Sequence, residues 1–183
     1  MVSFDEIQHV RQQLRDLSFL HWQADEIFSW NWWFLLIVSI IPWFMWAKWI
    51  DRKRLFEIST FGLFFGLSAS ILDSAGVDML LWTYPDKLLP LFPPLFPADL
   101  TVIPIGYMAA YQYCRSWKSY FWVNAGLAFL FSYVFEPLFV NANLLKLLNW
   151  THTYSFIGFI LLGLVCKWIM EKLLDIRKAA SAS

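Results

Sequence analysis

Charge is what this chain has least of. Only 15% of its 183 residues are Asp, Glu, Lys or Arg, and they cancel to a formal net charge of zero. A soluble domain usually carries about 25% charged residues. With 59% hydrophobic residues and a mean hydropathy of +0.51, the chain reads as one whose solvent is a bilayer. Zero net charge also gives no footprint for nucleic acid. Cysteine is limited to Cys114 and Cys166, which excludes a disulfide framework. Glycine is sparse at seven residues, and none forms a Gly-rich phosphate loop. No secretory signal is apparent, because the first 29 residues are acidic and the first apolar run is long. No His-x-x-x-His or Gly-x-Ser-x-Gly signature marks an enzyme, and no cofactor motif is legible.

Apolar runs long enough to span hydrocarbon fall at about 30–50, 55–78, 99–114, 117–138 and 151–171. The third is short and contains Pro104. The expected fold is therefore all-α: a polytopic membrane protein of five transmembrane helices with an N-terminal amphipathic interfacial helix. Ten of the fourteen Lys and Arg residues fall in the turn after span one, between spans three and four, and after span five. By the positive-inside rule this places the N-terminus outside and the C-terminus in the cytoplasm. The expected organisation is an extracytoplasmic amphipathic segment over 1–29, a five-helix bundle over 30–175, and a cytoplasmic tail over 176–183.

Tryptophan follows the same plan. Trp30, Trp32, Trp33, Trp82 and Trp150 fall at expected outer ends, and Trp43, Trp46, Trp49, Trp117, Trp122 and Trp168 at or near inner ends. These read as headgroup-level anchors. Phe4, Ile7, Val10, Leu14, Leu17 and Leu20 recur at helical spacing, so residues 4–24 form an amphipathic helix for the outer surface or for packing on the bundle's own loops. The loop "YPDKLLPLFPPLFPADL" holds five of the eight prolines and reads as a stiff connector lying against the bundle or in the headgroup layer, or as a lid over a site. The tail "RKAASAS" reads as a frayed basic end.

The candidate site is a set of acids at one membrane level. Ser59, Gly62, Gly66, Ser70 and Asp73 follow three- and four-residue steps, so Asp73 points into the bundle. Asn124, Ala128, Ser132 and Glu136 repeat the device in span four. Asp99 opens span three on the same side, and His152, Tyr154 and Ser155 open span five. Asp73, Glu136 and His152 are the leading contacts for a ligand. Asp99, Asp78 and Tyr84 complete the cluster. An ionisable group at mid-bilayer costs about 2.5–3.5 kcal/mol on insertion scales, less toward the interface. Three readings stay open: hydrogen-bonded pins for the helix ends, a cation or proton site in a binding protein or small coupled transporter or channel subunit, and an intramembrane acid–base pair. The expected partners are the lipid bilayer and a homo-oligomer or membrane protein partner, not nucleic acid. The expected function is a non-enzymatic binding, accessory or envelope protein.

The strings "RLFEI", "WTYP", "ADLTVIPIGYMAAYQY" and "NWTHTYSF", with a Glu late in span four, resemble an uncharacterised family of small five-helix integral membrane proteins of spore-forming Firmicutes. The resemblance covers roughly residues 30–170. It implies a five-helix plan in a bacterial plasma membrane and supplies no catalytic residues.

Overall fold

The computed structural model describes residues 2–90 and 95–182, and these are overwhelmingly helical. Helix α1 (Phe4–His21) begins at a capping box: Ser3 accepts from the Glu6 amide while the Glu6 carboxylate accepts from the Ser3 amide at 2.7 Å. None of its residues is buried, so it does not pack on the bundle, and its apolar stripe from Phe4 to Leu20 stays exposed. A π-helical turn, Trp22–Glu26, follows. Helix α2 (Trp30–Trp49) starts where the Ser29 side chain accepts from the Trp32 amide.

Helix α3 (Leu55–Asp78) supplies the central face. Its buried positions, among them Ile58, Gly62, Gly66, Ser70 and Asp73, recur at three- and four-residue steps as the sequence predicts. The two glycines of this stripe serve the chain's own packing. Gly62 lies against the Met108 side chain, and a Cβ at Gly66 would come within 3.3 Å of the Asp99 carbonyl and of Pro104. The neighbour that comes so close is helix α4 (Ile103–Tyr113) with the π-helical turn Ala98–Val102 that precedes it.

Helix α5 (Trp117–Leu130) runs through a third π-helical turn, Phe131–Phe135, into α6 (Glu136–Asn141). Pro104 and Pro137 both sit in the first helical turn after a π-helical turn. Proline has no amide to donate and its ring crowds the carbonyl four residues back, so a widened turn accommodates it. One consequence is positional: Asp99 lies inside the first of these two turns and Glu136 directly follows the second. Helix α7 (His152–Ala182) continues through the residues expected to fray. Three helical segments, Trp30–Trp49, Arg52–Asp78 and Trp117–Asn141, are long and apolar enough to cross a membrane.

The principal core lies among α3, α4, α5 and α7, and is aromatic. Phe61 stacks on Tyr111 at 4.4 Å, and Phe65 on Tyr107 at 4.2 Å. Polar side chains fix α7 to its neighbours. Tyr120 donates to the Gly163 carbonyl at 3.0 Å, and Asn124 donates to the Ile160 carbonyl at 3.0 Å. Gly163 has no Cβ where the Asn124 side chain and the Tyr107 ring press against it.

A second core holds that loop against the bundle. Tyr84, Leu88 and Leu95 of that loop are buried with Leu35, Leu144 and Leu145. Trp22 and Trp32 both donate to the Leu88 carbonyl, and Glu26 accepts from the Lys87 amide at 2.6 Å. Pro93 and Pro94 lie outside the described residues. Just before the loop, strand β1 (Trp82–Thr83) pairs antiparallel with β2 (Lys146–Leu147), a ladder that the apolar spacing did not announce. Leu80, at φ 56°, makes the left-handed turn that brings the chain back over the end of α3.

Candidate carboxylate site at one end of the bundle

The end of α3 presents Asp73 to the interior at 7% exposure, and the turn before α4 presents Asp99 at 6%. One Asp73 oxygen, Oδ1, accepts from Trp82 Nε1 at 2.7 Å and from the Tyr84 hydroxyl at 2.6 Å. The Leu95 amide and the carboxyl of Asp99 lie close enough to influence this carboxyl electrostatically. The Oδ2 atoms of Asp73 and Asp99 are both buried with no donor in hydrogen-bond geometry among the described residues. No Lys or Arg pairs with either carboxyl among the described residues, and the donors to Asp73 serve only its Oδ1.

Gly76 makes this arrangement possible. A Cβ there would collide with the six-membered ring of Trp82, so the missing methyl is the space in which the indole lies as it donates to Asp73. Trp82 in turn meets Trp150 edge-on, with ring centroids 5.0 Å apart. Trp150 Nε1 donates to the Ser155 hydroxyl at 2.9 Å, and that hydroxyl lies near Glu136. Glu136 Oε2 lies 2.7 Å from His152 Nδ1, linking the start of α6 to the start of α7. The tyrosine between the two halves feels both. Burial first, then the Asp73 carboxylate, pushes the Tyr84 hydroxyl well above the ordinary phenol range, and the Glu136 charge adds to the effect.

Asp73, Asp99, Tyr84, Glu136 and His152 are thus drawn to one end of the bundle, with the Trp82–Trp150 ring contact between the Asp73 and Glu136 centres. Asp73 and Glu136 are not in direct contact. Asp78 takes no part: it is exposed at the last turn of α3, with no hydrogen bond among the described residues. Trp82 and Trp150, which read as anchors in the sequence, are half-buried donors of the network, whereas Trp30 remains 84% exposed as an anchor would be. The sequence signal for Trp82 was available in Gly76, three residues beyond Asp73 on the same helical face, where a bulky partner needs space.

No group of three or more His, Cys, Asp or Glu side chains close enough to hold an ion exists among the described residues. An acid pair and an acid–imidazole pair can each hold a proton. At the other end, Cys166 is buried and Cys114 half-buried, both as free thiols. No family model, no curated protein and no solved structure matches the chain.

Proposed function

We propose that this is a non-enzymatic binding or accessory protein of a bacterial plasma membrane, and that the ligand of its carboxylate site is a proton. The carrying observation is that the Asp73 and Asp99 carboxyl groups are buried electrostatic neighbours, each with an oxygen that has no hydrogen-bond partner among the described residues. An ionised carboxylate only accepts hydrogen bonds, so a bond between two carboxyls needs one proton between them. Without it, two like charges would face each other away from water, an arrangement that like-charged acids avoid by sharing a proton. The shared proton then ties the end of α3 to the turn that opens α4.

The chain would cross the bilayer five times, N-terminus outside, with α4 and the first part of α7 joining the three long apolar segments. The lysine and arginine distribution and the helix bounds support this arrangement, which puts the acid site on the outer face. The resemblance to five-helix proteins of spore-forming Firmicutes agrees with it. Tags at the two termini test it: protease added to intact cells should cut the N-terminal tag and spare the C-terminal one.

A second reading, a proton-coupled carrier, is favoured by one further observation. Ser70 Oγ, Ser132 Oγ and Asn124 Oδ1 are buried without partners in the bundle interior, beyond the acid pair. Such groups suit water-assisted proton transfer. Thermal unfolding in detergent between about pH 5 and 8 tests the first reading. Wild type should lose stability as the pH rises, while Asp99→Asn, whose amide donates permanently, should respond less. Acidification of vesicles carrying the wild-type protein would select the carrier.

A further inference from the structure

Trp117 joins two cavities at the end of the bundle opposite Asp73. The first is an apolar groove of about 610 Å³ between α5 and α7, walled by Phe121, Trp122, Val165 and Trp168 among others, with Lys118 its only charged lining residue. The second is a polar cavity of about 280 Å³ between the start of α3 and the later part of α7. Trp117 lines the groove, and its Nε1 donates at 2.6 Å to Glu171, a wall of the polar cavity.

The charges around the polar cavity are largely spoken for. Arg54 pairs with Glu57 at 2.6 Å, Lys178 with Asp175 at 3.5 Å, and Lys167 with Glu171 at 3.2 Å. Lys167 is also enclosed by aromatic faces, its ammonium 4.8 Å from the Tyr120 centroid and 5.4 Å from that of Trp117. Two cations are left over. Arg115 lines the polar cavity and Lys118 the groove, and neither side chain has a hydrogen bond or ion pair among the described residues. They stand on either side of Trp117 at the start of α5, where the first-turn amides of the helix add partial positive charge.

We infer that this is a binding site for a phospholipid with an anionic headgroup. The groove takes an acyl chain, the unpaired Arg115 and Lys118 take the headgroup phosphate, and Trp117 marks the boundary between them. Charge complementarity selects the occupant. The groove is apolar along its length and cationic at one end only, which is the distribution of a lipid reversed in sign. The inference needs the bilayer setting of the proposed function but not its proton site, so the two fail separately.

The full chain in detergent, titrated with dioleoylphosphatidylglycerol, dioleoylphosphatidylcholine or glycerol 1-phosphate and followed by native mass spectrometry, tests it. Phosphatidylglycerol should bind about tenfold more tightly than phosphatidylcholine. The pair Arg115→Gln/Lys118→Gln should remove that preference, and Val165→Trp, which fills the groove, should weaken phosphatidylglycerol by a similar factor. All three positions are exposed, so the unfolding temperature in lipid-free detergent should stay at the wild-type value. Asp99→Asn should leave binding unchanged. Equal binding of the two lipids, unchanged binding in either variant, or glycerol 1-phosphate binding as tightly as the lipid would each overturn the inference.

Discussion

Asp73 and Asp99 are buried electrostatic neighbours inside the protein, both less than 10% exposed, and each presents an oxygen with no donor among the described residues. Helix α3 brings one and the π-helical turn before α4 brings the other, and the small residues Gly66 and Ser70 let the two backbones close on each other. The hydrogen bonds of Asp73, from Trp82 and Tyr84, come from the segment that covers the helix ends.

Trp82 is expected to matter as a donor more than as an apolar ring. Trp82→Phe keeps most of the ring but leaves a buried carboxylate short of one bond, so it should lower stability by about 1–3 kcal/mol. Trp30→Phe, at an exposed position, should change it by no more than about 0.5 kcal/mol. Chemical unfolding of both variants in the same detergent makes the comparison.

Three glycines divide by what surrounds them. Gly76→Ala drives a methyl into the Trp82 ring, and Gly163→Ala drives one into Asn124 and Tyr107, so each should cost about 1–3 kcal/mol. A methyl at Gly126 would meet no atom within 4 Å, and Gly126→Ala should gain about 0.5–1 kcal/mol through helix propensity. If Gly76→Ala and Trp82→Ala share one cause, the double variant should be less damaged than the sum of the two.

How much of this was legible depended on the kind of signal. The stripe ending at Asp73 could be read because small residues at helical steps leave few alternatives to an interior face. Asp78, five residues on, is about 140° further round the helix, so including it ignored the same periodicity. The Trp82 and Trp150 roles were hidden because an indole at headgroup level fits an anchor and a buried donor equally well until its neighbour is known. The two-residue ladder was too short for any alternation to show. Pro104 and Pro137 did mark irregular helix, but a widened turn follows from carbonyl geometry rather than from residue type.

Glu136 and His152 should behave as one unit. Glu136→Gln and His152→Gln each break the 2.7 Å contact, so a double-mutant cycle should give a coupling of about 0.5–3 kcal/mol. An additive result would mean that the two hold the helix ends independently.

Glu26, before the first long apolar helix, gives a pH dependence of known sign. Burial raises its carboxyl above its ordinary value of 4.5, against the Lys87 amide and His21, which pull it down. The folded chain therefore holds this proton more tightly than the unfolded chain. The contribution is full below about pH 4.5 and is lost as the pH rises through the folded value. The stability of wild type relative to Glu26→Gln should fall over that rise; a constant difference would show that the carboxyl is not buried as a charge.

A single proton held between Asp73 and Asp99 should be visible to infrared spectroscopy of the purified protein at neutral pH. Wild type should show the carbonyl stretch of a protonated carboxylic acid, and that band should disappear in both Asp73→Asn and Asp99→Asn. The same band in all three proteins, or no such band in wild type, would contradict the shared proton.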